Sequence, residues 1–366
     1  MNKILLISNR SPSTGIGTYS HQLVKHLKET WHVDLDFLNL TTLAEDSYGN
    51  IVSMSSQKIK RLVDHLLFLQ KIPKDYKVYH ILNPNLGILI MKCHPAVVTV
   101  HDVFPFTPIA THDLITQSLG LDSPILLAMK FNIKFVKTAD RIISVSKHTK
   151  KDLISLFRIK ASKIHVIYPG IDRNVFHVRD KRKARQNLNL PQKSKIILHI
   201  GVDEPRKNIK TLIEAFYKVK KRVPEALLVR IGGMRSATKK LIASLHLNDS
   251  IVHHKKVPST HLFYNAADVL AFPSYYEGFG LPVLEAMASG LPVVAGDSTS
   301  IPEIVGKAGM LFPPFNATIL SELICKVIND KKTQQEMTIG GLERSSNFDW
   351  NLCAKQTLEI YKSLSF

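Results

Sequence analysis

The sequence predicts an α/β protein built from two parallel-sheet domains of similar size. Three observations carry this reading. Short apolar runs alternate with helical stretches along the chain, the pattern of strand–helix–strand units. The alternation breaks once, at the turn cluster "YPGID" (Tyr168 to Asp172) and the basic "RDKRKARQNLNLPQKSK" behind it, a poor core segment. The length, 366 residues, suits two domains.

In the first half, "KILLIS" is a short apolar strand and "NRSPSTGIG" is rich in turn formers. "TYSHQLVKHLKE" places Tyr19, Leu23, Val24 and Leu27 at helical spacing. "HVDLDFLNL" alternates as a strand, and "KVYHIL", "AVVTVH", "RIISVS" and "KIHVIY" read as further strands. The boundary is placed near Pro169, giving domains 1–169 and 170–347. The second alternation runs "KIILHIG", helix "IKTLIEAFYKVKKR", "ALLVRIGG", helix, "SIVHH", helix, "DVLAFPS", helix, "PVVAG". The tail "NLCAKQTLEIYKSLSF" is an amphipathic helix. The expected architecture is two doubly wound sheets facing across a cleft, where ligands sit beyond the carboxyl ends of strands.

Composition narrows the class. The chain is 45% hydrophobic and 22% charged, an ordinary globular balance. No apolar run nears the roughly 20 residues that span a bilayer, and the start "MNKILLISNR" lacks the features of a signal peptide. Cys93, Cys325 and Cys353 give neither metal spacing nor an even disulfide set, which suits a reducing cytoplasm. A net charge of +19 calls for anionic partners: nucleic acid, acidic lipid or phosphorylated substrates. No zinc spacing, RNP-like aromatic pattern or heptad-linked basic region supports the first.

Four loops at strand ends carry the chemistry. In "SYYEGFGLPVLEAMASG", Pro282 fits a helix start and Gly290 a helix end. Glu285 then lies about one turn inside the helix and Glu277 in the loop before it. The helix start offers free N–H groups for phosphate, and Gly278 and Gly280 let backbone approach a ligand. Carboxylates here suit the vicinal hydroxyls of a ribose and a second polyol. Stabilisation of the helix dipole accounts for Glu285 equally well, but gives no reason for Glu277. In "VDEPRKN", Arg206 and Lys207 precede a helix start, with Asn208 as its cap. They point to a diphosphate or, more plainly, to a solvated basic turn. "GIG" (Gly15 to Gly17) departs from the dinucleotide fingerprint at Ser20, which disfavours a nicotinamide enzyme. In "TVHDVFPF", His101 and Asp102 close a strand. The pair Asp34 and Asp36 in "DLD" falls inside an alternating strand and is read as coincidental spacing, so no metal site is expected.

Together these residues resemble the family-4 retaining glycosyltransferases of GT-B fold. The resemblance runs in order through "GIGTYS", "VHDVFPF", "ADRIISVS", "YPGID", "EPRKN", the specific block Tyr264 to Gly296, and "PEIVGKAGMLFPP". It implies two Rossmann-like domains, the first on the acceptor side and the second binding the nucleotide sugar, with a final helix near 348–366 packing back on the first. It implies transfer of a hexose from a nucleotide diphosphate sugar, with retention and without metal or other cofactor. Glu285 would hold the ribose, and Glu277 the donor sugar, with backbone from Gly278, Phe279, Gly280 and Leu281. Arg206 and Lys207 would neutralise the leaving diphosphate, Gly15 and Gly17 would let the first loop approach it, and His101 would contact the sugar. Many relatives carry Arg at the position of Val202, so the cationic role rests more on Lys207 than on Arg206. "EPRKN" and "VHDVFPF" lean to GDP-mannose as donor, with UDP-hexose second, and the acceptor to a glycan or lipid-linked molecule. The competing readings are a sugar-nucleotide epimerase or phosphorylase on the same fold, and a basic nucleic-acid binder. The stretches 56–74 and 125–137, both basic and apolar, are further expected to dock the first domain on an anionic inner-membrane face.

Overall fold

The structure, a computed structural model, describes residues 3–40, 69, 72–108 and 124–364. The chain divides into two compact units, Met1–Gly170 with Asp349–Phe366, and Ile171–Phe348.

In the first unit β1 (Ile4–Ser8) leads to α1 (Gly15–Glu29) and β2 (Leu35–Asn39). Next come β3 (Val78–Ile81), β4 (Ala96–Val100), α2 (Pro124–Val136), β5 (Arg141–Ser144), α3 (Lys147–Phe157) and β6 (Ile164–Val166). Every pairing is parallel, in the order β2-β1-β3-β4-β5-β6. β1, β3 and β4 are buried along their whole length, as parallel strands covered on both faces must be. That burial is why they read as apolar runs.

The second unit opens with α4 (Lys181–Asn187) and continues β7 (Lys195–Ile200), α5 (Ile209–Arg222), β8 (Ala226–Ile231), α6 (Ser236–Ser244), β9 (Ile251–His254), α7 (His261–Ala266) and β10 (Val269–Phe272). It closes with α8 (Leu281–Ala288), β11 (Val293–Gly296), α9 (Ile301–Val305), β12 (Met310–Phe312), α10 (Ala317–Asn329) and α11 (Lys331–Ser345). The parallel order is β12-β11-β10-β7-β8-β9. The chain winds outward from β7 and then returns to its other side at β10. The topological switch point, where such sheets bind ligands, therefore lies between β7 and β10.

The last helix, α12 (Trp350–Lys362), belongs to the first unit. Tyr361 reaches the core, where its hydroxyl lies 2.6 Å from His80 Nδ1, and His80 Nε2 lies 2.8 Å from Thr99 Oγ1. Burial lowers the His80 pKa to about 3, so the ring is neutral.

Three details differ from the sequence reading. β12 was not anticipated: three residues between Gly309 and Pro313 are too few to show a period. The basic stretch after "YPGID" is not bare surface. It forms α4, and the Arg185 guanidinium is buried on Asp268 at 2.8 Å and on the carbonyls of Ala266, Gln192 and Ser194. Finally, of the two aspartates of "DLD", only Asp36 is in β2. It is half-exposed, pairing with Lys3 at 2.8 Å and accepting from the Tyr76 hydroxyl, while Asp34 is exposed before the strand.

Candidate active site

β10 ends at Phe272, and the chain crosses a buried loop before α8 begins at Leu281. Gly280 makes the turn with φ +117°, and a Cβ there would sit 2.7 Å from Ile301 Cδ1. Pro282 occupies the second helical position, and Gly290 leaves the helix with φ +73°. The loop is held from behind by the chain after β11. Ser300 Oγ donates to the carbonyls of Glu277 (2.9 Å) and Phe279 (2.7 Å). Glu277 N–H donates to Thr299 Oγ1 at 3.0 Å, and the Ser298 hydroxyl donates to Tyr275 O. A glycine-containing loop with this many anchors presents its side chains in a fixed position.

Glu277 is the centre of that presentation. Lys207 Nζ donates to its Oε1 at 2.6 Å and Arg206 Nη1 to its Oε2 at 3.2 Å. Arg206 Nε also donates to Glu204 Oε2 at 2.9 Å. The cations come from a 3₁₀ turn, Pro205–Lys207, between β7 and α5, so the cluster spans the switch point. Glu277 is 6% and Lys207 8% exposed. Burial opposes ionisation of Glu277, but Lys207 and then Arg206 outweigh it and hold the carboxyl below its ordinary range. Burial pulls Lys207 down while Glu277 pulls it back. At 2.6 Å from an ionised carboxylate the proton stays on nitrogen. Lys207, Arg206 and Glu277 together carry one net positive charge, which the half-exposed Glu204 on Arg206 offsets from the solvent side.

Asn208 takes the N-cap position of α5 as expected, but its side chain makes no capping bond. It adopts left-handed backbone (φ 54°), and its side chain instead donates to Pro273 O at 3.2 Å and accepts from Thr211 Oγ1 at 2.8 Å. It thereby ties the cation-bearing turn to the end of β10. Phe279 is buried, its ring meeting Phe348 edge-on at 5.8 Å, and Leu281 is the first residue of α8. Val202, the position at which the resemblance implies Arg, is an exposed apolar side chain.

Glu285 lies on α8 and accepts from the Tyr264 hydroxyl at 2.6 Å. It keeps some open surface, yet burial pushes its carboxyl up to about 7, against the opposing effect of that hydrogen bond. Tyr264 is fully buried on α7 and was not singled out from the sequence. A tyrosine in an apolar helix carries no local mark of the carboxylate it will meet.

The remaining expected residues belong to the first unit. His101 follows β4, and its Nε2 lies 3.0 Å from Leu82 O, so Nε2 carries the hydrogen and Nδ1 is an acceptor. Burial, aided by Arg10, lowers its pKa to about 4. The Tyr19 ring holds it edge-on at 4.9 Å. Gly15 and Gly17 open α1, where Thr14 Oγ1 caps Gly17 N–H at 3.1 Å. A Cβ on Gly17 would lie 1.8 Å from Ser11 O. Gly17 is therefore required by its own loop, whatever the loop binds. Asp102 Oδ1 accepts from Phe104 N–H at 3.2 Å, a local turn contact. Among the described residues, no three His, Cys, Asp or Glu side chains gather where a metal could bind.

Comparison with known proteins identifies the family and the fold. The profile described as Glycosyltransferase Family 4 matches residues 13–175, and that described as Glycosyl transferases group 1 matches residues 180–344. The chain is 29% identical over 382 residues to the O-antigen chain mannosyltransferase B of Escherichia coli, covering 96% of this chain and 97% of that one. It is 30% identical to the MMP alpha-(1->4)-mannosyltransferase of Mycolicibacterium hassiacum, over 60% of this chain and 53% of that one. In fold it matches a sucrose-phosphate synthase from Thermosynechococcus elongatus, with TM-score 0.77, 23% identity, and 100% and 99% of the chains covered. It also matches Anabaena Alr3699/HepE, solved with UDP and glucose, with TM-score 0.76, 19% identity, and 99% and 100% covered. With both halves matched in order and two parallel six-stranded sheets of this topology, the chain belongs to the family-4 type glycosyltransferases of GT-B fold.

Proposed function

We propose that the protein transfers a hexose, with mannose preferred, from a nucleotide diphosphate sugar to a glycan or lipid-linked acceptor. The observation that carries this is the Lys207–Glu277–Arg206 cluster, with Lys207 and Glu277 buried and Arg206 partly so, at the switch point of the second unit. Breaking the bond between the anomeric carbon and the phosphate oxygen leaves negative charge on the diphosphate. Fixed cations in a buried setting stabilise that charge without reorganising. Lys207 and Arg206 take this role, with the α8 start and the Gly278–Leu281 backbone completing the phosphate and sugar contacts. Glu277 orients both cations and accepts from the donor sugar. Glu285, when ionised, accepts from the ribose hydroxyls. His101, a neutral acceptor at Nδ1, is assigned to a sugar hydroxyl, and Gly15 and Gly17 to backbone approach to the diphosphate.

The reaction is read as retaining and metal-free. The acceptor hydroxyl attacks the face that the diphosphate leaves, and its proton passes to the departing phosphate oxygen. Mannose is preferred because two relatives, one matched end to end, are named mannosyltransferases. UDP-hexose is the second donor to test. A thermal-shift panel of GDP-mannose, GDP, UDP-glucose and UDP separates them: GDP-mannose should raise the melting temperature most. Stabilisation by none of the four would overturn the reading.

The site of action is proposed as the cytoplasmic face of a membrane. Of the two stretches that suggested this, 56–74 lies mostly outside the described residues, and its described Leu69 and Ile72 pack on the first unit's core. On α2, Phe131 is 44% exposed beside exposed Lys130, and exposed Met91 lies on the 3₁₀ segment Pro84–Lys92 packed against that helix. Among the described residues, no helix is long and apolar enough to cross a membrane.

A further inference from the structure

A row of three polar side chains crosses the second sheet just before its carboxyl edge. His199 on β7, Arg230 on β8 and His253 on β9 are register partners and share one face. Arg230 and His199 are both completely buried. An ionised guanidinium there needs full compensation, yet among the described residues Arg230 forms no ion pair. Its two Nη groups are held instead by backbone carbonyls, while among the described residues Nε has no hydrogen-bond partner. Nη1 donates to Gly232 O at 2.8 Å and Nη2 to Gly201 O at 3.3 Å.

Those carbonyls belong to two glycine turns, one after β7 and one after β8. The turns touch: a Cβ on Gly232, whose φ is +128°, would lie 2.0 Å from Gly201 O. Two further bonds close the arrangement. His253 Nε2–H donates to Gly232 O at 2.7 Å, and Arg235 N–H donates to Asp203 Oδ2 at 2.8 Å. The turn after β7 leads into Arg206 and Lys207. His199 Cε1 and Lys207 Cδ lie 3.4 and 3.6 Å from the place a Gly201 Cβ would occupy, so ring and lysine stem flank one turn. Among the described residues neither His199 nitrogen has a hydrogen-bond partner, and burial, with Arg230 and Lys207 nearby, keeps the ring neutral.

We propose that Arg230 is a positioning residue for glycosyl transfer. It is a buried strut that locks the two glycine turns together and so fixes Lys207 and Arg206 for the diphosphate. The proposal rests on the donor-site reading above. It touches no substrate; it acts through the turn.

The test compares wild type with Arg230→Met, which keeps volume but removes the donors, and Arg230→Lys, which keeps one charge. Calorimetry uses GDP, GMP, UDP and UMP. In Arg230→Met, whichever diphosphate binds the wild type should weaken at least tenfold, its monophosphate less than threefold, and Arg230→Lys should recover part of the loss. Equal weakening of both, or of neither, would overturn the proposal. Hydrogen exchange provides an arm that needs no nucleotide. Amides of 201–208 and 232–235 should exchange at least tenfold faster in Arg230→Met, with those of β10 and β11 unchanged. Uniform acceleration would reduce Arg230 to a general core residue, and no acceleration would remove the strut. If wild type binds none of the four nucleotides, the functional reading fails, and the exchange result alone decides the strut.

Discussion

Lys207 is held in conflicting surroundings, and the conflict sets what its removal should do. Its ammonium is buried, which disfavours charge, and stays charged through Glu277. Lys207→Ala should lower kcat on the order of 10²-fold, the usual cost of removing one preorganised group that meets transition-state charge. KM should change less. A kcat within twofold of wild type with only KM raised would exclude the leaving-group role. Glu285 supplies a pH test. Its carboxyl titrates at about 7, raised by burial, so the ionised fraction grows as pH rises through neutrality. Donor affinity should fall as pH drops below about 7. The sugar diphosphate diester has no titration there to confuse the result. Tyr264 stabilises the ionised form, so Tyr264→Phe should shift the affinity profile to higher pH. A flat profile, or no shift in the variant, would show that Glu285 need not ionise to bind. The sequence marked Glu277, Glu285, Arg206 and Lys207 because they break the apolar pattern at loop and helix starts. It hid Tyr264, whose partner Glu285 lies on another helix, and Arg230, whose role depends on bringing Gly201 beside its near neighbour Gly232.

Elements whose burial is continuous were legible; elements defined by tertiary packing were not. β7, β8, β10 and β11 are apolar runs that follow directly from two-sided burial. β12 and α4 lack such a mark, one being too short and the other too basic. The glycine before α1 shows the same limit. "GIG" suggested ligand approach, whereas Gly17 also answers to Ser11 O in its own loop. Gly17→Ala should therefore destabilise the protein by about 1–3 kcal/mol, the range for overpacking in a close-packed place. Calorimetric unfolding checks this. An unchanged transition would mean that the Ser11 segment relaxes freely, returning Gly17 to a purely ligand-facing role.

At the scale of the molecule, a net charge of +19 is the least local fact in the sequence, and no single site accounts for it. With exposed Phe131 and Met91 on packed segments carrying lysines, it motivates a test of the proposed salt-sensitive membrane association. Anionic vesicles should sediment the protein at low salt and release it at high salt. Equal recovery in the supernatant with anionic and neutral vesicles at low salt would reject docking. The central claim is narrower: the second unit holds a nucleotide diphosphate sugar through Lys207 and its neighbours. The most direct measurement is calorimetric titration of GDP-mannose, then UDP-glucose, into wild type and Lys207→Ala. The account predicts saturable one-to-one binding of one of them to wild type, weakened at least tenfold in the variant while both proteins unfold cooperatively. No binding to wild type, or equal affinity for the two proteins, would contradict it.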